Sequence, residues 1–172
     1  TVNFDANADA EQKTATIVLS YEGAASQEFV LTQAGKPAAG TVVDVLTRVT
    51  TGISSGAGYS SWSGKTVTSS AVYAGQSAGG NDAIQLRSNN NNSGVVTTTS
   101  GGKVKKIKVT WQSSTTSGRT LDIYGKNTAY SAASELYSST TQGTKLGSIK
   151  NGTSELEITG DYEYIGLRSN SG

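Results

Sequence analysis

The stretch KVKKIKVTWQSSTTSGRTLDIYGK, residues 103–126, decides the fold class. Apolar and polar side chains alternate along both of its ends, so that Ile107 and Trp111 share one side of the first part and Leu121 and Ile123 share one side of the second. Alternation with period two is typical of strands that bury one face. A Ser/Thr/Gly segment separates them, so we predict a β-hairpin in which Trp111 covers the base opposite Leu121.

The other face of this hairpin is expected to be solvated. It would carry the polar and long side chains of both strands, namely Lys106, Lys108, Thr110, Asp122, Tyr124 and Lys126. The basic cluster Lys103, Lys105, Lys106 and Lys108 is interpreted as a solvated strand face that protects a sheet edge, with an anion site as the alternative.

Short alternating segments flank this stretch on both sides, with Gly, Ser and Asn turns between them. Three of them, over residues 1–6, 13–21 and 26–33, precede the only proline, Pro37. We therefore predict an all-β chain with a first part at 1–36, a linker at 37–40 and a β-sandwich at 41–172. Residues 41–53 are left open between a strand and a short amphipathic turn that buries Val42, Val45, Leu46 and Val49.

The composition excludes several classes of function. The chain has neither cysteine nor histidine, so disulfides, thiol chemistry, imidazole metal ligands and histidine-based triads are absent. A net charge of +1 does not suit a nucleic-acid partner. No apolar run approaches the roughly 18 residues of a membrane span. Because residue 1 is Thr rather than Met, we expect a mature product or a fragment of a longer chain.

Acidic residues offer the remaining routes to chemistry. Glu155 and Glu157, and likewise Asp161 and Glu163, lie two positions apart as a hydrolytic carboxylate pair would, but we expect them to face water beside the lysines, and we predict no enzyme. No cofactor is predicted. A structural calcium held by Asp44, Asp82 or Asp161 is left open, although no segment has the acid density of a dedicated calcium loop.

A repeated phrase supplies a candidate sugar site. Residues 84–89 read IQLRSN and residues 165–170 read IGLRSN. If the Ile and Leu side chains point inward, each arginine lies on an outer face, followed by an asparagine at a loop. Sugar sites combine such planar hydrogen-bonding groups with flat aromatic rings. The predicted carbohydrate-binding residues are Tyr59, Trp62, Tyr73, Arg87, Asn89, Arg168 and Asn170, with Trp62, Arg87 and Arg168 converging on a concave patch.

Each of these residues also has a purely structural interpretation. The two arginines would then pair with Asp82 and Asp161. Trp62 would fill the core, and Tyr73 would be an ordinary strand aromatic.

The run over residues 7–35, NADAEQKTATIVLSYEGAASQEFVLTQAG, resembles the second half of a BACON domain, an immunoglobulin-like module of Bacteroidetes surface proteins. The matching positions are Asn7, Lys13, Ile17, Leu19, Val30, Thr32, Gln33 and Gly35. This resemblance implies an Ig-like sandwich of which only part is present, and a role as spacer or glycan binder.

Residues 41–172 resemble the galactose-binding-like jelly-roll modules of secreted Bacteroidetes lipoproteins. The resemblance rests on YSSWSGK (59–65), AIQLRSN (83–89), TLDIYGKN (120–127) and DYEYIGLRSNSG (161–172). It implies a jelly-roll β-sandwich at the cell surface whose last strand is missing from this chain.

Two hypotheses follow for function. The first is a non-enzymatic extracellular module that binds a glycan or surface polysaccharide, or that serves adhesion. The second is a structural subunit of a surface fibre or filament, assembled from copies of itself by β-strand donation. The second predicts that residues 1–35 pack against another copy and that the sheet near Leu167 is completed in trans.

Overall fold

The computed structural model describes residues 13–33 and 40–170. The chain divides into two compact units, Thr1–Thr41 and Val42–Gly172. Every strand pair in the described ranges is antiparallel and the helices are short, so the all-β prediction is confirmed. The predicted strand over residues 1–6, Asn7, Gly35 and most of the predicted linker lie outside the described residues.

The described part of the first unit is a hairpin of β1 (Lys13–Leu19) and β2 (Gln27–Gln33). The turn between them contains Gly23 with φ +83°, a conformation that favours glycine. Ile17 lies opposite Phe29 in the register, and the apolar side chains of that face are Ala15, Ile17, Leu19, Phe29 and Leu31. Phe29 is 52% exposed. An isolated two-stranded hairpin is marginally stable in water, so the packing of this apolar face matters for the stability of the unit.

The second unit is built on a six-stranded sheet in the order β3-β4-β5-β10-β7-β8. Its strands are β3 (Ser60–Lys65), β4 (Val72–Ser77), β5 (Gly94–Thr99), β7 (Thr120–Lys126), β8 (Thr144–Lys150) and β10 (Tyr164–Ser169). A separate pair joins β6 (Lys106–Lys108) to β9 (Glu155–Glu157). The short helices are α1 (Arg48–Thr51) and the 3-10 helices η1 (Gly80–Asp82) and η2 (Ala133–Tyr137).

One face of the large sheet, here called the inner face, carries Trp62, Val95, Ile123, Ile149 and Ile165. The β6–β9 pair packs on the β7–β8–β10 half of this face through apolar side chains that include Ile107 and Leu156. Side chains from the segments before β3 and after β4 cover the other half, among them Leu46, Ile53, Ile84 and Leu86. The second unit is therefore a layered β structure with its main core on the inner face.

The opposite face, here called the η2 face, packs against helix η2. Leu136 of η2 is fully buried and lies over two glycines of the central strands, Gly94 and Gly166. A Cβ at Gly166 would lie 2.3 Å from Cδ2 of Leu136, so the absence of a side chain lets the helix approach the sheet closely.

The hairpin predicted for residues 103–126 is wrong in its pairing. Ile107 of β6 lies opposite Leu156 of β9, whereas Ile123 of β7 lies opposite Leu167 and Gly147. The alternation itself holds, since Ile107, Trp111, Leu121 and Ile123 all join one apolar cluster. Two strands that belong to different sheets but bury side chains in the same core show the same apolar–polar alternation as the two strands of a hairpin.

The second face of β7 is also not solvated as predicted. Asp122 and Tyr124 are buried and Lys126 is half-buried, because η2 and the residues around it pack on this face. In residues 41–53 only α1 forms a regular element, and Val42, Val45 and Val49 are exposed, contrary to the prediction. Leu46 is the member of that predicted set that packs in the core.

Completion of the sheet near Leu167 by another chain is contradicted by the topology. Leu167 belongs to β10, which lies between β5 and β7 and is paired on both sides within the chain. The edges of this sheet are β3 and β8, each of which has an irregular register and ends in a lysine, Lys65 and Lys150. Bulges and lysines are the features that discourage further strand pairing at an edge.

Candidate functional site

The first copy of the repeated phrase presents Arg87 outside the core. Ile84 and Leu86 point inward as predicted, although the segment makes only a single bridge, between Gln85 and Ala78, and is not a regular strand. The Arg87 guanidinium carbon lies 3.9 Å from the ring centroid of Tyr59. This is a cation–π contact, and it holds a predicted aromatic against a predicted arginine.

The second copy presents Arg168 on the η2 face. Its guanidinium lies 5.1 Å from the ring centroid of Tyr124 and 5.0 Å from that of Tyr137, and it donates a 2.8 Å hydrogen bond to the carbonyl oxygen of Leu136. The arginine is therefore fixed in orientation by two rings and by the backbone of η2.

Tyr137 contacts Arg168 and lies within the electrostatic reach of Arg87. Its hydroxyl donates a 2.7 Å hydrogen bond to the carbonyl oxygen of Ser93. Burial raises the pKa of Tyr137, and the positive charges of Arg168 and Arg87 act against that rise, so both guanidinium groups lie close enough to act on one phenol. We call Tyr59, Arg87, Tyr124, Tyr137 and Arg168 the arginine–tyrosine cluster.

A shallow hollow of about 580 Å³ opens beside this cluster and is called the first hollow. Its lining consists of Ser88, Asn89, Asn90, Asn91 and Tyr137. The loop over residues 88–92 forms a turn in which the backbone N–H of Asn92 donates to Oδ1 of Asn90. The structure thus brings Tyr59, Arg87, Asn89 and Arg168 of the predicted set to one region.

The other predicted residues make contacts within the protein. Trp62 is only 8% exposed on the inner face, where its indole N–H donates to the Ser77 hydroxyl, so it does not converge with the arginines. Tyr73 is half-buried on the same face, and its hydroxyl donates to Asp44 at 2.7 Å. Asn170 donates through Nδ2 to Asp122 at 2.7 Å. Trp62 fills the core because its ring covers Gly75, which has no side chain to exclude it.

Neither arginine of the repeat pairs with the acids that the structural interpretation assigned to them. Asp82 pairs with Arg48, and Asp161 pairs with Lys103 and Lys105. Within residues 13–33 and 40–170, no ion pair joins Arg87 or Arg168 to a carboxylate. The buried Nε of Arg87 also has no hydrogen-bond partner there.

Three of the four carboxylates considered for hydrolysis, Glu155, Glu157 and Asp161, lie beside lysines as expected, whereas Glu163 accepts a hydrogen bond from the Ser100 hydroxyl. Lys106 is 2.6 Å from Glu157 and 3.6 Å from Glu155 across the β6–β9 pair. The candidate calcium ligands are engaged as well: Asp44 accepts hydrogen bonds from the backbone N–H groups of residues 68 and 69 and from two hydroxyl groups. The described residues contain no group of three or more Asp, Glu, His or Cys side chains that could hold a metal ion.

Sequence reasoning missed Tyr137 and Asp122. Tyr137 lies in a polar stretch with no alternation, and the one available signal was the adjacent Leu136. Asp122 was assigned to a solvated face. It is 4% exposed and accepts hydrogen bonds from Lys145 at 2.8 Å, Ser148 at 2.6 Å and Asn170.

The Asp122 network predicts a pH dependence of stability. Burial alone would raise the pKa of Asp122, but the bonds from Lys145 and Ser148 and the charges of Lys145 and Arg168 outweigh it and lower the pKa. A carboxyl group with a lowered folded-state pKa stabilises the protein above its unfolded pKa, about 3.9, and this stabilisation is lost as the pH falls through the folded value. We expect Asp122→Asn to lower the free energy of unfolding by about 2 kcal/mol at pH 7 and by much less near pH 2.

Urea unfolding of both proteins at the two pH values measures this difference. The comparison with the variant isolates Asp122 from the other carboxylates, which titrate in both proteins. An equal cost at both pH values would contradict the assignment.

None of the helices in the described ranges is long and apolar enough to cross a membrane. Comparison of the chain with protein-family models, with curated proteins and with solved structures gives no match.

Proposed function

We propose that the chain is a non-enzymatic, extracellular β-sandwich module that binds a glycan in the first hollow. The observation that carries the proposal is the arginine–tyrosine cluster. It holds two arginines against tyrosine rings, neither of them joined to a carboxylate by an ion pair among the described residues, beside a hollow lined largely by asparagines.

This combination suits a sugar. The loop amides of Asn89, Asn90 and Asn91 supply donors and acceptors for hydroxyl groups, and the half-buried ring of Tyr137 supplies an apolar surface for ring C–H groups. The cluster fixes its side chains before binding, which reduces the entropy lost when a ligand orders them. Preorganised groups of this kind favour specific binding over general adhesiveness.

The charge of the cluster points to the class of glycan. A guanidinium group recognises carboxylate and sulfate groups through paired N–H donors. Asp122, the cross-strand neighbour of Arg168, is already held by Lys145 at 2.8 Å. We therefore propose glycans that carry uronic acid, sialic acid or sulfate groups as the preferred ligands.

The resemblances support the location that this function needs. A BACON-like first part and a jelly-roll-like second part are both typical of Bacteroidetes surface and secreted lipoproteins. We propose on that basis that the module works at the cell surface, where acidic polysaccharides are available, and that it contributes to adhesion.

A glycan array tests the proposal. We expect the chain to bind immobilised acidic glycans more strongly than their neutral counterparts. We also expect Arg87→Gln to lose this preference, while Arg119→Gln, a change at an arginine outside the cluster, retains it. An array on which no acidic glycan binds the wild-type chain would overturn the proposal.

A second candidate function, assembly with other copies of the chain, is favoured by the apolar face of the β1–β2 hairpin. That face presents Ile17, Leu19, Phe29 and Leu31 without cover from other described residues of its unit. An apolar face of this kind is stabilised when a further strand or sheet is added to it.

Light scattering tests this second candidate. We expect the wild-type chain to self-associate and Phe29→Glu to be monomeric, because the variant places a charge on the apolar face. Val30→Glu is the matched control, since Val30 is an exposed residue of the same strand on the opposite face. A monomeric wild-type chain, or equal effects of the two variants, would contradict it.

A further inference from the structure

A second hollow, of about 410 Å³, lies on the η2 face between the β3–β4 edge of the sheet and the segment that enters η2. Its floor includes Ala74, Gly75 and Gln76 of β4, and its walls include Asn92 and residues 131–134. Every side chain that lines it is uncharged, and serines recur around it at positions 61, 63, 131 and 134. This lining differs from that of the first hollow, which has two arginines nearby.

Two residues that line this hollow have side-chain amide oxygens without a hydrogen-bond partner in the described part of the chain. Oε1 of Gln76 and Oδ1 of Asn92 are buried and have no hydrogen-bond partner among the described residues. Together with Nε of Arg87, they are the buried side-chain N and O atoms without a partner in those ranges. A buried acceptor without a partner costs about 1–3 kcal/mol, so a ligand that supplies a donor regains that energy.

No hydrogen bond to the described residues holds the two amide groups in their present orientation. The side chains of Gln76 and Asn92 make no hydrogen bond to the described residues, so rotating either amide toward the hollow breaks none. Only their main-chain atoms are engaged, through the Gln76 carbonyl oxygen and the Asn92 N–H. A ligand donor can therefore engage them at the cost of a side-chain rotation.

The walls, in contrast, are firmly held. Glu135 accepts hydrogen bonds from the backbone N–H of Ser131 at 2.6 Å and from Lys126 at 2.6 Å, which anchors the segment that enters η2. Burial alone would raise the pKa of Glu135, but the bonds from Lys126 and Ser131 outweigh it and lower the pKa, so the carboxylate stays charged at neutral pH. The hollow therefore combines a wall held by hydrogen bonds with two buried amide oxygens that have no partner among the described residues.

From this lining we infer a second binding site that takes a neutral, hydroxyl-rich ligand such as an uncharged sugar residue. Amide oxygens need donors, and serine hydroxyls both donate and accept, so hydroxyl groups fit every polar group present. A charged ligand would lose its hydration without gaining an ion pair. Asn92 follows directly on the loop that lines the first hollow, so a branched or extended glycan could occupy both sites, but the second site stands independently of the first.

The test is a set of amide chemical-shift titrations of the full chain with four neutral disaccharides: lactose, cellobiose, chitobiose and mannobiose. We expect at least one to give saturable shifts at Gly75, Asn92 and Ser134. Gln76→Leu and Ala132→Trp should each weaken that binding about tenfold or more, the first by removing an acceptor and the second by filling the hollow. Ser139→Trp places the same bulk at an exposed position outside the lining and should leave binding unchanged.

The variants also separate this inference from the proposed function. Arg87→Gln should leave disaccharide binding intact, whereas it should weaken acidic glycans at the first hollow. The inference is overturned if none of the four disaccharides gives saturable shifts around Gln76, or if Gln76→Leu and Ala132→Trp bind as the wild type does. If the second site fails this test but the chain still binds acidic glycans, the inference is wrong and the proposed function is unaffected.

Discussion

Replacement of Trp62 by alanine is expected to lower the free energy of unfolding of the second unit by about 3–5 kcal/mol. Trp62 is 8% exposed, packs with Ile53 and Val95, and donates a 2.9 Å hydrogen bond from its indole N–H to the Ser77 hydroxyl. A Cβ at Gly75 would lie 2.5 Å from Cζ2 of this ring, which shows how closely the sheet and the ring pack. Alanine would leave a cavity and a buried hydroxyl without its partner.

Chemical denaturation measures this cost, and Trp62→Phe separates the ring from its polar group. Phenylalanine keeps most of the packing and loses only the N–H donor, so we expect it to cost about 1–2 kcal/mol. Binding of an acidic glycan in the first hollow should be the same for the Trp62→Phe protein as for the wild type, because Trp62 does not line that hollow. A small cost for Trp62→Ala together with a loss of glycan binding would instead make Trp62 the aromatic platform of the site.

The second large effect is expected at the arginine–tyrosine cluster. Charged hydrogen bonds contribute about 1.5–3 kcal/mol each, so Arg87→Gln and Arg168→Gln should each weaken binding of an acidic glycan by about 10- to 150-fold. Wild-type binding should also weaken as salt is added, because the attraction is between charges at an accessible site. Titration calorimetry at two salt concentrations measures both effects.

An unfolding measurement and one further variant serve as controls for this result. Arg168 also holds the Leu136 carbonyl oxygen at 2.8 Å, so its variant needs an unfolding curve to show that η2 stays in place. Arg87→Lys keeps the charge but loses the planar contact with Tyr59, and we expect intermediate affinity. Affinity for acidic glycans that is unchanged in Arg87→Gln and Arg168→Gln would contradict a role for the cluster.

The fold class was predictable because alternation reports which side chains a strand buries. It predicted the inward positions of Ile107, Leu121 and Ile123 correctly. It did not predict their partners, because β6 and β7 bury residues in the same core while pairing with different strands. Pairing depends on residues distant in the chain, which period two does not encode.

The candidate site was predictable in part for a related reason. The repeated phrase identified Arg87 and Arg168 because each arginine directly follows an inward-pointing leucine, and alternation then places the arginine on the outer side. Tyr137 and the second hollow were not predictable, since both depend on how η2 packs over Gly94 and Gly166. Val42 and Val45 were predicted to be buried because they are apolar, but both are exposed.

The most direct test of the central claim is a map of backbone amide shifts on binding the acidic glycan that the array selects. We expect saturable shifts at residues 88–91, Tyr137 and Arg168, with the inner-face residues Trp62 and Tyr73 unaffected. Shifts confined to the inner face, or to the β1–β2 hairpin, would contradict the central claim and would place the binding site elsewhere in the chain.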